Sequence, residues 1–100
     1  MPDVKALRLT KEEIDIIEKT IKYYDPTAEV VIFGSRTDME KKGGDIDILV
    51  VSEKIDFDVR RKIRVDLILA FGDRKIDLVV TDKPEKSDFT KICYKYGVKL

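Results

Sequence analysis

Asp45 and Asp47 stand two residues apart at the opening of an apolar run that continues Ile48-Leu49-Val50-Val51. In a strand, positions i and i+2 share a face, roughly 7 Å apart along the chain. Two carboxylates so placed repel each other unless positive charge lies between them, and a divalent cation is the usual solution. Just upstream, an apolar run from Val30 ends in Gly34-Ser35. Small residues at such a turn expose backbone amides that can hold a phosphate. Together these features point to metal-assisted chemistry on a nucleotide.

A third carboxylate, Asp77, is embedded in Lys75-Ile76-Asp77-Leu78-Val79-Val80. Alternation puts Asp77 with Val79 on one face and Ile76 with Leu78 on the other. If the two aspartate-bearing strands are neighbours, Asp45, Asp47 and Asp77 form a cluster on one sheet face. Such a cluster can hold two divalent ions about 3.5–4 Å apart, which steady both the attacking and the leaving oxygen of a phosphoryl or nucleotidyl transfer. The bland alternative is a strand mouth whose carboxylates are solvated or paired with Lys and Arg.

Composition removes other chemistries. The chain has 100 residues, no His and a single Cys, Cys93. Histidine bases, Ser-His or Cys-His nucleophiles and His-ligated zinc are therefore excluded. Carboxylates are the plentiful ligands, and they favour magnesium, manganese or calcium. Twenty basic residues balance twenty acidic ones, so there is no electrostatic footprint for non-specific nucleic-acid binding. No apolar stretch is long enough to span a bilayer, and the N-terminus lacks a leader-like apolar region. A lone cysteine suits the reducing cytoplasm and reads as a small buried hydrophobe. One hundred residues, 43% of them apolar, make a single domain over residues 1–100 with one modest core.

The elements that must position these residues follow from periodicity and caps. Thr10-Lys11-Glu12-Glu13 is a capping box, and Ile14, Ile17, Ile21 and Tyr24 recur at helical spacing until Asp25-Pro26. Glu29–Phe33 reads as a strand, residues 37–42 as a short helix broken by Gly43-Gly44, and residues 45–51 as a central strand. Residues 56–71 alternate like a strand at Ile63, Val65, Leu67 and Leu69, yet step by four at Val59, Ile63, Leu67 and Phe71. Length favours a helix, with Asp56 or Asp58 as N-cap and Gly72 as C-cap. Residues 75–80 are a third strand, Asp82-Lys83-Pro84 a loop, and Ser87–Tyr96 a final helix ending at Gly97. The expected fold is α/β (α+β): a small mixed sheet of about three strands packed with helices. Arg60, Arg61, Lys62 and Arg64 read as a solvated helix side balanced by Asp56, Asp58 and Asp66, with an acidic partner or RNA as the alternative. Tyr94 and Tyr96 read as packing residues.

Phe33-Gly34-Ser35-Arg36, then Gly44-Asp45-Ile46-Asp47-Ile48-Leu49-Val50, then a strand aspartate some thirty residues on, resembles the DNA polymerase β-like nucleotidyltransferase superfamily. At this length the chain looks like the minimal nucleotidyltransferases of prokaryotes (MNT proteins). D-x-D alone is a weak signal, shared with Toprim domains and glycosyltransferases, but Toprim would want an acidic residue where Gly34-Ser35 stands. The resemblance implies the polymerase β-like fold and two Mg²⁺ ions, or Mn²⁺, on Asp45, Asp47 and Asp77. It further implies that Gly34, Ser35 and Arg36 hold the β- and γ-phosphates, and that AMP passes from ATP to a hydroxyl. Many relatives carry Ser where Gly44 precedes the D-x-D, which bears on nucleotide choice and turnover. Larger members append acceptor-binding domains, so the acceptor here is expected on another subunit or a partner. In the MNT family that partner is typically a HEPN-domain toxin, modified on a tyrosine or simply occluded. A non-catalytic module that neutralises its partner by contact is the alternative function, and a homo-oligomer is possible.

Overall fold

The computed structural model describes residues 9–33, 46–72 and 75–100. Helix α1 (Lys11–Tyr24) starts where Thr10 Oγ1 accepts from the Glu13 N–H at 3.1 Å and Glu13 Oε1 accepts from the Thr10 N–H at 2.8 Å. That reciprocal pair satisfies two of the amides a helix start leaves without partners, as the capping box predicts. Ile14, Ile17 and Ile21 form its buried stripe. Asp25 ends it in extended backbone, ahead of Pro26.

Helix α2 (Phe57–Phe71) settles the ambiguous segment as a helix. Asp56 caps its start, with Oδ1 accepting from the Val59 N–H at 2.9 Å. Gly72, at φ +76°, closes it in a backbone conformation costly for any residue bearing a Cβ. Only Ile63 and Leu67 are buried, whereas Val65 and Leu69 are exposed. The strand-like alternation thus arose from apolar residues on the solvent side.

Strands β1 (Glu29–Phe33), β2 (Ile46–Val51), β3 (Ile76–Thr81) and β4 (Val98–Lys99) form one mixed sheet in the order β3-β2-β1-β4. β1 is antiparallel to both neighbours, and β2 runs parallel to β3. The polymerase β-like α+β expectation holds, with one addition. The two-residue edge strand β4 is too short to leave a period in the sequence. It is held by register with Val31 and Ile32 and by a 2.9 Å bond from the Leu100 N–H to the Val30 carbonyl.

The two sheet faces are unequal. Val30 and Ile32, Ile46, Ile48 and Val50, and Ile76 and Leu78 point into the main core beneath α1 and α2. The opposite face carries the smaller cluster of Val31, Leu49 and Cys93, covered by α3 (Asp88–Tyr96). Ser87 caps α3 through the Thr90 N–H at 3.1 Å, and a short 3₁₀ turn (Pro84–Lys86) occupies part of the expected loop. Gly97 then brings the chain hard against β1. A Cβ there would collide with the Val31 side chain and lie 2.6 Å from the Cys93 carbonyl oxygen. Among the described residues, no helix is long and apolar enough to cross a membrane.

Candidate active site

Alternation that sends Ile46, Ile48 and Val50 into the main core must send Asp47 to the α3 face. The same logic turns Asp77 outward between buried Ile76 and Leu78. The parallel ladder pairs Asp47 with Asp77 directly, and on its other side Asp47 stands opposite Phe33. Adjacent strands lie ~4.8 Å apart, so the two half-buried carboxylates stand side by side. Like charges at directly paired strand positions are destabilising. Good oxygen donors held next to each other on a rigid sheet are the donor set that a hard divalent cation prefers. In chemistry and placement, Asp47 and Asp77 therefore fit such an ion. Among the described residues no group of three or more potential ligands forms. Asp45, the third carboxylate of the expected cluster, lies outside the described residues, as do Gly34, Ser35, Arg36 and the expected helix over 37–42.

The aspartates floor an open groove of about 370 Å³. Such a volume falls at the lower end of the range that holds small ligands. One wall is apolar, formed by Phe33 and Phe89, whose rings meet edge to face at 5.7 Å. The other wall is basic, formed by Arg60 and Arg64 of α2. The Arg60 guanidinium donates to the Leu78 carbonyl at 3.3 Å on the open edge of β3 and lies 5.1 Å from the Phe57 ring centre. On the same sheet face, burial raises the Cys93 thiol pKa, and the negative charge of Asp47 adds to the effect. The buried cysteine is thus structural, as its composition context suggested.

Sequence reasoning placed Asp47 and Asp77 on one face, and the structure brings them together. It passed over Arg60 and Arg64, reading the basic run as a solvated face. Their i,i+4 spacing, which puts both on one flank of α2, was the available signal. Phe89 gave no signal at all. Of the two tyrosines read as packing residues, Tyr94 does pack: its hydroxyl donates to Glu29 at 2.7 Å and Lys99 caps its ring at 4.0 Å. Tyr96 does not, being 73% exposed.

A second polar cluster sits away from the groove. Asp25, 1% exposed, accepts from Ser52 Oγ at 2.5 Å, from Thr27 Oγ1 at 2.7 Å and from the Thr27 N–H at 3.0 Å. Hydrogen bonds from Ser52 and Thr27 hold its pKa below the ordinary 3.8. Ser52 Oγ in turn accepts from the Lys54 and Ile55 N–H groups. Every member has a partner, so this cluster ties two loops together.

A mixed sheet with helices on both faces is consistent with the polymerase β-like nucleotidyltransferase fold. Residues 12–100 match the nucleotidyltransferase domain family, and the chain belongs to that family. No curated protein matches it. It is a transferase, its substrate is a nucleoside triphosphate, and domains of this family generally use divalent metal ions.

Proposed function

We propose that the chain transfers AMP from ATP to a hydroxyl of a partner protein, acting as the antitoxin of a HEPN/MNT pair. The observation that carries this reading is the direct pairing of Asp47 with Asp77 on neighbouring strands at the floor of one groove.

Asp45, Asp47 and Asp77 would hold Mg²⁺, with Mn²⁺ as a substitute. The bound cations would supply positive charge to the triphosphate and to the oxygen that leaves. Gly34 and Ser35 would cradle the β- and γ-phosphates through backbone amides and a hydroxyl, and Arg36 would add a charge-assisted contact. The acceptor oxygen forms a bond to the α-phosphorus, the bond to the β-phosphate breaks, and pyrophosphate departs. Asp77 orients the acceptor hydroxyl and takes its proton on a carboxylate oxygen. Phe33 and Phe89 give one side of the groove an apolar lining.

The test is incubation with Mg²⁺, a co-encoded HEPN-domain protein and ATP labelled at the α- or the γ-phosphate. Label should pass to the partner from the α position and not from the γ position. Asp47→Asn should abolish transfer while partner binding persists. No transfer from any nucleoside triphosphate, with full neutralisation by a variant lacking all three aspartates, would leave contact alone as the mode of action.

A further inference from the structure

Helix α3 is only partly engaged by the sheet. Thr90 and Cys93 are buried, but Phe89, Ile92 and Tyr96 are 55%, 58% and 73% exposed. At 3.6 residues per turn, these three positions fall within an arc of about 60°. They make one apolar flank of the helix. On the other flank Tyr94 reaches Glu29 at the start of β1, while Phe89 meets Phe33 at its end. Phe89 joins this flank to the groove, because it is also a wall of the groove that Asp47 and Asp77 floor.

An exposed apolar stripe that runs into a reaction groove is a surface waiting for a partner. Its charge frame says which kind. Between Ser87 and Leu100 the chain has three lysines and one aspartate, and Lys91, Lys95 and Asp88 lie exposed beside the stripe, a net positive frame. Lys95 Nζ stands 5.3 Å from the Tyr96 ring centre. Across the groove, Arg60 and Arg64 line the opposite wall.

Resting on the reading of the groove as a nucleotidyl-transfer site, we infer that the Phe89–Ile92–Tyr96 flank of α3 is the docking surface for the acceptor protein. The acceptor segment it fits has apolar side chains that seat on α3 and acidic residues near the modified hydroxyl. Those acids meet Lys91 and Lys95 on one side and Arg60 and Arg64 on the other. Seating on α3 places the acceptor hydroxyl over Asp77, at the end of the groove that the arginines line.

The probe is a fluorescein-labelled random copolymer of glutamate and tyrosine, acidic and hydroxyl-bearing, with a lysine–tyrosine copolymer as control. Binding is read by fluorescence anisotropy at physiological salt. Wild type should bind the acidic copolymer at least about tenfold more tightly than the basic one. The double variant Ile92→Ser with Tyr96→Ser, whose net charge is unchanged, should lose about tenfold in affinity. It should keep the wild-type circular dichroism and the wild-type binding of a fluorescent ATP analogue. Equal binding of the acidic copolymer by wild type and double variant would overturn the inference. So would tighter binding of an oligoribonucleotide than of the copolymer, or a wild-type dimer that Ile92→Ser dissociates. Failure of the wild type to bind the ATP analogue would sink the nucleotide reading instead, while anisotropy still answers the docking question.

Discussion

Asp47 and Asp77 are direct register partners on the parallel β2–β3 ladder, and the residues on either side of each, Ile46 and Ile48, Ile76 and Leu78, are buried in the main core. The register that seals the core is therefore the register that assembles the carboxylate pair. Slipping β2 by one residue would drive Asp47 into the apolar core and expose Ile48, a cost that locks the pairing. Two carboxylates paired in this way are oxygen donors that one divalent cation can share.

Removing one carboxylate should abolish the response of the fold to divalent ions. Asp77→Asn is expected to change stability in EDTA by no more than about 1 kcal/mol. Divalent ions should stabilise the wild type by mass action and leave the variant unmoved. Thermal melts with EDTA and with MnCl₂ check both halves.

Asp25 sets the acid limit of the fold. Its folded pKa lies below the ordinary 3.8, because Ser52 and Thr27 donate to the carboxylate. Its contribution is therefore fully present above that unfolded value and is lost as pH falls through the lower folded value. Asp25→Ala strips the acceptor from those donors and should cost about 1–3 kcal/mol at neutral pH. Urea unfolding from pH 7 to pH 2 should show a wild-type loss below pH ~4 that the variant lacks.

Gly97 is required by space. A Cβ would meet Val31, the Cys93 carbonyl at 2.6 Å and the Ile32 carbonyl at 2.9 Å. Two of these three atoms are backbone and cannot swing away. Gly97→Ala should cost about 1–3 kcal/mol, and loosened packing of α3 on β1 should appear as faster amide exchange at Leu100.

Within α2, position decides the effect of truncation. Ile63→Ala removes a fully buried side chain and should cost about 2–5 kcal/mol. Leu69→Ser, at a position 77% exposed, should stay within about 0.5 kcal/mol of wild type. Denaturant midpoints for the pair distinguish this helix from a strand, in which both positions would share one face.

The sequence made legible whatever rests on local chemistry. The Thr10–Glu13 capping box, the Asp56 cap, the Gly72 terminus and the outward turn of Asp77 all follow from residue type and spacing. Contacts set by tertiary packing were hidden. The strand at Val98–Lys99 exists only because Gly97 lets the chain close on β1. Arg60 and Arg64 join the groove because β3 is an edge strand that α2 flanks. Asp25, read only as part of a helix stop, became a buried linchpin once Ser52 was folded against it.

The most direct test of the central claim is electron paramagnetic resonance of Mn²⁺ titrated into the protein with a non-hydrolysable ATP analogue. The wild type should bind the ion in a nucleotide-dependent manner, and Asp47→Asn and Asp77→Asn should each weaken binding by at least about tenfold while remaining folded. Binding of Mn²⁺ and nucleotide by folded Asp77→Asn as tightly as by wild type would contradict the assignment of this carboxylate pair.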